Sequence, residues 1–476
     1  MNVIADFFSH SKLTPSKAAI VEHGGVVSYG ELASRVEALA AGMKARGIGK
    51  GSNVLILVPI SAALYEVLLA CFYVGATAVF LDIWSTRKRV NIALKAASPD
   101  AFVGTLAARF LLVGSSAFHS IPIKWTVGKR LFSVRRFEKP DAVEPFVEVP
   151  PDTPALITFT TGSTGTPKAA VRTHKFLAAQ HAAIVGQFGD YHGKIDMPVL
   201  PIFVFINLAL GITSVLPKKK PDQVYAQILH ENVDSSSGSP AFYEKLARWC
   251  NVRGLKLPLK RLYTGGAPVF PTLAKLLSET VEGEVVVVYG STEAEPISHI
   301  EAKQMLQVMA TEAESGILVG KPTGIDLKID SPIHGVGEIM VRGAHVLRGA
   351  ADAEWHHTGD AGKLDGEGRL WLFGRIKEGI HRDGRLWWSG EVERKALDVP
   401  GVHFAACLGV PDKALGQKLI LFLEGKNLSK PKHWEAEIRN NLSQFPVDEI
   451  RVVNRIPRDP RHASKKNIEE LKRRFL

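Results

Sequence analysis

The sequence predicts an α/β protein of more than one domain, and three observations predict it. At 476 residues the chain is longer than one hydrophobic core serves. The stretch Val54 to Leu81 carries a single charge, Glu66, and is divided by Pro59 and Gly75 into strand-sized, helix-sized and strand-sized apolar pieces, the pattern of a buried βαβ unit rather than of a membrane span. Three later apolar runs, Ala155–Ile157, Leu262–Tyr263 and Val285–Val288, each open into a turn of glycines or hydroxyls.

Taken in order, Ser28-Tyr29-Gly30-Glu31 precedes a helical pattern through Leu32, Val36, Leu39 and Met43 that ends near Gly47. The βαβ unit follows, then a helix over Thr86 to Ala97 closed by Ser98-Pro99. Ala101-Phe102-Val103-Gly104 reads as a buried strand. Pro140 to Thr153, rich in proline and acid, reads as an exposed lead-in to the stretch Thr158 to Lys168, T-F-T-T-G-S-T-G-T-P-K. Between Thr160 and Lys168 stand five hydroxyls (Thr160, Thr161, Ser163, Thr164, Thr166), the glycines Gly162 and Gly165, a proline and Lys168. Glycines let backbone N–H groups turn toward an anion, hydroxyls donate hydrogen bonds and lysine adds a point charge, so the mix suits a polyphosphate. It is not a P-loop, because the glycine spacing differs and no Ser or Thr follows the lysine.

Beyond it, Thr173 to Ile184 is a helix candidate. Met197 to Phe205 (M-P-V-L-P-I-F-V-F) is almost wholly apolar and precedes Leu208 to Gly211; an ordinary buried strand and a lining for an apolar acyl pocket are both open. Ser237-Gly238-Ser239-Pro240 introduces a helix from Ala241 to Trp249. Then come Leu262-Tyr263-Thr264-Gly265-Gly266-Ala267-Pro268, a strand running into a glycine turn, and, about twenty residues on, the buried run Val285 to Val288 opening into Tyr289-Gly290-Ser291-Thr292-Glu293. Trp355-His356-His357-Thr358-Gly359-Asp360 stands fifteen residues before Arg375, and L-D-G-E-G-R-L between them reads as a hairpin turning at Asp365-Gly366. Phe404 to Asp412 reads as a buried strand and turn near the end.

The nine residues T-T-G-S-T-G-T-P-K resemble the phosphate-binding signature of the adenylate-forming superfamily, which holds acyl-CoA synthetases, peptide-synthetase adenylation domains and luciferases. The order and spacing of Y-T-G-G-A, Y-G-S-T-E, T-G-D and G-R-I-K-E agree with it, so the resemblance covers most of the chain. It implies ATP and Mg²⁺ as cofactors, with Gly265, Gly266 and Ala267 bordering the adenine, Tyr289 stacking on it beside Gly290, Thr292 on phosphate and Glu293 serving Mg²⁺. It also implies that Asp360 holds the ribose hydroxyls and that Arg375 contacts ribose or phosphate. A carboxylate accepting from two ribose hydroxyls must be fixed, and Thr-Gly-Asp at a turn can fix it.

Gly374 to Glu393 is similar to the family's interdomain hinge and the strand pair after it. The implied architecture is α/β, with a large N-terminal adenylate-forming domain of layered sheets and helices over residues 1–375 and a small mobile α+β lid over 376–476. The pivot would be Lys377 or Glu378. The tail Ile456 to Lys466 resembles the segment whose lysine bridges substrate carboxylate and α-phosphate, which makes Lys465, rather than Lys466, the candidate catalytic lysine beside Thr292 and Glu293. The R-H-x-x-K tail, the missing histidine after Pro201-Ile202-Phe203, P-I-F-V-F-I-N-L-A-L-G-I-T-S-V-L-P followed by G-S-P-A, and A-F-V-G resemble the olefin-biosynthesis β-lactone synthetases of this superfamily, whereas the hinge resembles ordinary acyl-CoA ligases.

Composition narrows the classes. The three cysteines, Cys71, Cys250 and Cys407, sit in apolar surroundings and form neither a metal set nor a disulfide framework, which fits a reducing compartment. The opening M-N-V-I-A-D-F-F-S-H lacks the features of a signal peptide, and a cytoplasmic location is expected. The net charge of +11 suits an anionic small substrate. No aromatic-rich basic module accompanies it, so nucleic acid is not expected as a partner. The expected partner is a small-molecule acyl substrate. CoA, an acyl carrier or pathway enzyme, and peripheral membrane contact through the basic stretch Arg458 to Arg474 belong to the alternatives. The expected reaction is ATP-dependent activation of a fatty or other carboxylic acid through an acyl-adenylate. Closure of a 3-hydroxy acyl-adenylate to a β-lactone would follow, with transfer to CoA or to a carrier protein as the alternatives.

Overall fold

The computed structural model describes residues 2–81, 87–127, 144–161, 167–188, 195–312, 314–347, 354–425, 431–458 and 465–476. The chain forms two compact units, residues 1–237 and 238–476. The sequence-derived boundary at 375/376 lies inside the second.

In the first unit the predicted βαβ is present: the strands Asn53–Leu57 and Thr77–Phe80 pair in parallel around the helix Ala62–Tyr73. They belong to a six-stranded sheet whose order is Ile123–Thr126, Ala101–Gly104, Asn53–Leu57, Thr77–Phe80, Pro154–Thr161, Pro167–Thr173. The first five strands are parallel and the last is antiparallel. Leu55, Val79, Leu94, Phe102 and Phe118 pack into one core on this sheet. The helix Tyr29–Lys44 starts where the Ser28 hydroxyl accepts from the Glu31 N–H, the cap that such a start calls for. The helix Arg87–Ala97 matches its expected range, and the helix expected from Thr173 runs as His174–Phe188.

Three expectations are corrected in this unit. Met197 to Phe205 is not one strand: Ile195–Pro198 is a short strand and Pro201–Ala209 a helix with proline in its first turn. That helix is buried almost all round, Phe203 to Ala209 without exception, so it lacks the amphipathic period that separates helix from strand in sequence. The run before the hydroxyl-rich loop does not end at Ile157, since its strand continues to Thr161. The lead-in is not wholly exposed either. Val149 is buried, and Phe146 packs against Phe8 and Tyr73; an apolar residue every third position inside an acidic stretch is easily overlooked.

In the second unit the strands Arg261–Gly265 and Glu284–Ser291 pair in parallel. The neighbours Ala294–Glu301, Ile317–Pro322, Leu370–Arg375, His356–Leu364, Val336–Arg342 and Asp326–Ile333 follow in antiparallel order. The helix expected from Ala241 begins at Pro240 and runs to Asn251. After the 3-10 turn Ile376–Glu378 come the hairpin Gly379–Arg382/Arg385–Trp388 and a three-stranded sheet of Val402–Asp412, Gly416–Gly425 and Glu449–Val452. That sheet alternates strictly: Cys407, Leu419 and Leu421 enter one core, Ala406, Leu408, Ile420 and Phe422 the other. All three cysteines are free and buried. No helix among the described residues is long and apolar enough to cross a membrane.

Candidate active site

In the first unit the hydroxyl-rich stretch is flanked by the antiparallel strands Pro154–Thr161 and Pro167–Thr173. Thr160 pairs with Lys168 and Thr161 with Pro167 in antiparallel register, so the two ends of the stretch are held side by side. Gly162, Ser163, Thr164, Gly165 and Thr166 lie outside the described residues. Lower in this strand pair, Arg172 donates to the Thr158 hydroxyl at 3.1 Å.

In the second unit the glycine turn is tied to its neighbour by close approach. A Cβ on Gly265 would stand 2.5 Å from the Val288 carbonyl oxygen of the adjacent strand, and Gly266 has φ +81. Only glycine serves both positions without strain. Gly266 is exposed and Ala267 half-buried. The strand through Val288 carries Tyr289, then breaks register between Tyr289 and Ser291. There the Ser291 hydroxyl accepts from the N–H groups of Glu293 (3.3 Å) and Ala294 (3.2 Å), and the Glu293 carbonyl accepts from Leu347 N–H at 2.7 Å. Thr292 is thereby exposed and Glu293 half-buried at the tip.

Asp360 is the best-defined group. It does not lie at a turn, as the sequence suggests, but inside the strand His356–Leu364. What fixes it is a β-bulge: opposite the two-residue step Glu338 to Met340 stand the four-residue step His357 to Ala361 and Gly359 at φ +72. The Thr358 hydroxyl donates to the Ile339 carbonyl (2.8 Å) and accepts from Asp360 N–H (3.1 Å), while Glu338 accepts from Gly359 N–H (3.0 Å). Glu338 carries no sequence pattern that would have singled it out.

The aspartate Oδ2 accepts from the Tyr289 hydroxyl at 2.9 Å, and Oδ1 lies 3.1 Å from Arg375 Nε. Arg375 is the direct cross-strand partner of Asp360 and also donates to the Thr358 carbonyl. A carboxylate offers about four lone-pair sites; two are taken, which leaves two. Burial raises the Asp360 pKa above the usual aspartate value, opposed by Arg375, then by the Tyr289 hydrogen bond and the positive charge of Lys465.

The two tail lysines part company. Lys465 is exposed and adds positive potential at Asp360. Lys466 turns inward, its Nζ 2.9 Å from Glu378 Oε2 and ion-paired with Glu393, which also accepts from Cys407 N–H at 2.8 Å. Burial would lower the Lys466 pKa, but the two carboxylates hold it above the ordinary lysine value. Burial, foremost, raises Glu393 as well. One ammonium between two carboxylates leaves excess negative charge, which favours the protonated form of Lys466 and adds to the effect of burial on Glu393.

Among the described residues no group of three or more His, Cys, Asp or Glu could hold a metal ion. A Mg²⁺ served by Glu293 would take its other ligands from phosphate and water, which is how that ion is commonly held.

The family model described as AMP-binding enzyme matches residues 7–350. The chain belongs to the AMP-binding enzyme family. Its members use ATP and include the AMP-forming acid ligases, and this chain is an enzyme of that class. An olefin beta-lactone synthetase of Xanthomonas campestris is 30% identical over 441 residues, covering 81% of this chain and 78% of that one. A feruloyl-CoA synthase of an Amycolatopsis species is 27% identical over 490 residues and covers 94% of both. The crystal structure of ATP-bound MatB from Rhodopseudomonas palustris superposes with a TM-score of 0.83 at 20% identity, over 100% of this chain and 99% of that one. The α/β fold expected from the sequence, that of the adenylate-forming enzymes, is therefore the fold of this member.

Proposed function

We propose that the enzyme activates a 3-hydroxy fatty acid as its acyl-adenylate and then closes that intermediate to a β-lactone. The observation that carries the first step is the Tyr289–Asp360–Arg375 cluster: a fixed carboxylate with two acceptor sites to spare matches the vicinal hydroxyls of a ribose. The stretch Thr160 to Lys168 is assigned to the phosphates, Gly265, Gly266 and Ala267 to the adenine edge, and Tyr289 with Gly290 to its face. Thr292 is assigned to phosphate. Glu293 would hold Mg²⁺, which supplies charge neutralisation on the phosphates when bound.

A substrate carboxylate oxygen attacks the α-phosphorus, the bond to the bridging oxygen of the β-phosphate breaks, and pyrophosphate leaves. Lys465, carrying the positive charge felt at Asp360, stabilises the charge that builds between carboxylate and α-phosphate. The substrate's own 3-hydroxyl oxygen then attacks the acyl carbon, the C–O bond to AMP breaks, and the hydroxyl proton leaves with AMP or to solvent. Proximity favours that intramolecular attack. The lid, residues 376–476, is assigned the change of site between the two steps, pivoting at Lys377 or Glu378.

The 30% identical relative named a β-lactone synthetase supports the second step. An acyl-CoA ligase is the competing reading, supported by the feruloyl-CoA synthase that matches a larger share of both chains. The deciding experiment incubates the protein with MgATP and a racemic 3-hydroxy long-chain acid, with and without CoA, and follows AMP and the acyl product. CoA-independent AMP release with a β-lactone supports our reading. CoA-dependent release with a thioester overturns it in favour of a ligase, and AMP release only when a carrier protein is supplied overturns it in favour of carrier loading.

A further inference from the structure

We propose that Lys466 is a positioning residue for acyl-adenylate formation: by joining the hinge carboxylate Glu378 to the lid carboxylate Glu393, it fixes the lid in the orientation that turns its neighbour Lys465 toward Asp360. The inference rests on the reading of residues 376–476 as a lid and of Lys465 as the adenylation lysine.

The geometry is specific. Glu378 ends the 3-10 turn Ile376–Glu378, directly after the strand that carries Arg375. Glu393 lies on the helix Ser389–Leu397, fifteen residues further on and on the lid side of the pivot. Lys466 lies 2.9 Å from the first and is ion-paired with the second, with its side chain 18% exposed. Arg458 and Lys466 form an antiparallel bridge, so the backbone at Lys466 is extended and successive side chains point to opposite sides. Anchoring Lys466 inward therefore sends Lys465 outward, where it is exposed and adds positive potential at Asp360.

An ion pair that served only to stabilise the lid would need Glu393 alone. The second arm reaches the pivot, and it is the arm that a rotation about Lys377/Glu378 must break while the Lys466–Glu393 arm travels with the lid. A second contact of the same helix reinforces this orientation: Arg394 donates to the Ser315 carbonyl at 3.1 Å and Glu391 accepts from the Ser315 hydroxyl. The latch thus favours the conformation for the first half-reaction and opposes departure from it.

The test compares wild type with Glu378→Gln, Lys466→Met and Lys466→Arg. Acid-dependent ATP–pyrophosphate exchange reads the first half-reaction, and AMP release from a synthetic acyl-adenylate reads the second. Losing one charged hydrogen bond at the hinge is expected to slow exchange about tenfold. It should not slow AMP release from the adenylate, since the latch opposes the lid's departure toward the second step, and Lys466→Arg should recover most of the exchange rate. Equal losses in both half-reactions, or unchanged exchange in Glu378→Gln, would overturn the proposal. Hydrogen–deuterium exchange over residues 374–388 provides a reading independent of turnover. It should accelerate severalfold in Glu378→Gln with the thermal midpoint held, and unchanged protection there would also refute the latch. If wild type shows no exchange of pyrophosphate with any acid, the acid-activation reading fails, and the hydrogen-exchange comparison still decides the latch.

Discussion

The hydroxyl of Tyr289 donates to Oδ2 of Asp360 at 2.9 Å, joining a strand-end tyrosine to an aspartate 71 residues later in the chain. The contact orients the carboxylate without consuming its remaining acceptor sites, and burial of the phenol raises its pKa far above the normal range, so the hydroxyl stays a donor at every working pH. Tyr289→Phe removes that donor and keeps the ring. A hydrogen bond to a charged group contributes about 1.5–3 kcal/mol, so the KM for ATP in pyrophosphate exchange should rise about tenfold or more. The effect on the acid's KM should be much smaller. Equal rises in both would place the tyrosine's role elsewhere.

Arg375 tunes the same carboxylate. Burial raises the Asp360 pKa and Arg375 is the largest opposing influence, so Asp360 loses its charge at a higher pH than an ordinary aspartate. Removing the guanidinium raises that pKa further. The acid limb of the kcat/KM profile for ATP should therefore move to higher pH in Arg375→Met than in wild type. The check is a pH series of exchange rates at subsaturating ATP. A limb that stays in place or moves down in pH would contradict the assignment of Asp360 as the group that must be ionised.

How much of this was legible in sequence depended on whether the signal was local. The βαβ unit, the hairpin at Asp365 and the buried strand beginning near Phe404 all follow from apolar runs and turn residues within about ten positions. Pro201 to Ala209 was not legible, because a helix buried on every side has no polar stripe to mark its turn. The bulge that fixes Asp360 escaped for another reason: it needs Glu338 and Ile339 from a strand twenty residues earlier. The separation of Lys465 from Lys466 likewise turns on Glu378 and Glu393, which adjacency in a basic tail conceals.

Gly265 gives a steric prediction. Its missing Cβ faces the Val288 carbonyl at 2.5 Å, and that neighbour is backbone of the parallel strand one residue before Tyr289. The strands cannot part without shifting the tyrosine. Gly265→Ala should lower the thermal midpoint and raise the ATP KM together, by a few kcal/mol in stability, as overpacking of a well-packed region does. Gly366→Ala is the control, since nothing lies within 4 Å of a Cβ there. A Gly265→Ala protein as stable and as active as Gly366→Ala would show that the two strands have room that the close contact denies.

His174 supplies a stability prediction in the first unit. Its side chain is fully buried. Nδ1 faces the Val3 N–H at 3.4 Å and the ring packs edge-on against Phe72. Burial, the largest influence, lowers its pKa to about 4 from 6.5. The folded pKa is depressed, so between about 6.5 and about 4 the unfolded chain binds a proton that the folded chain does not, and stability falls as pH falls through that window. At 1.36 kcal/mol per unit, the loss attributable to this residue is at most about 3 kcal/mol. In His174→Gln the neutral side chain cannot titrate. Denaturant melts of wild type and variant at pH 7.5 and pH 4.5 should show a smaller acid loss in the variant, even if its stability at pH 7.5 is lower. Parallel losses in the two proteins would assign the acid sensitivity to other groups.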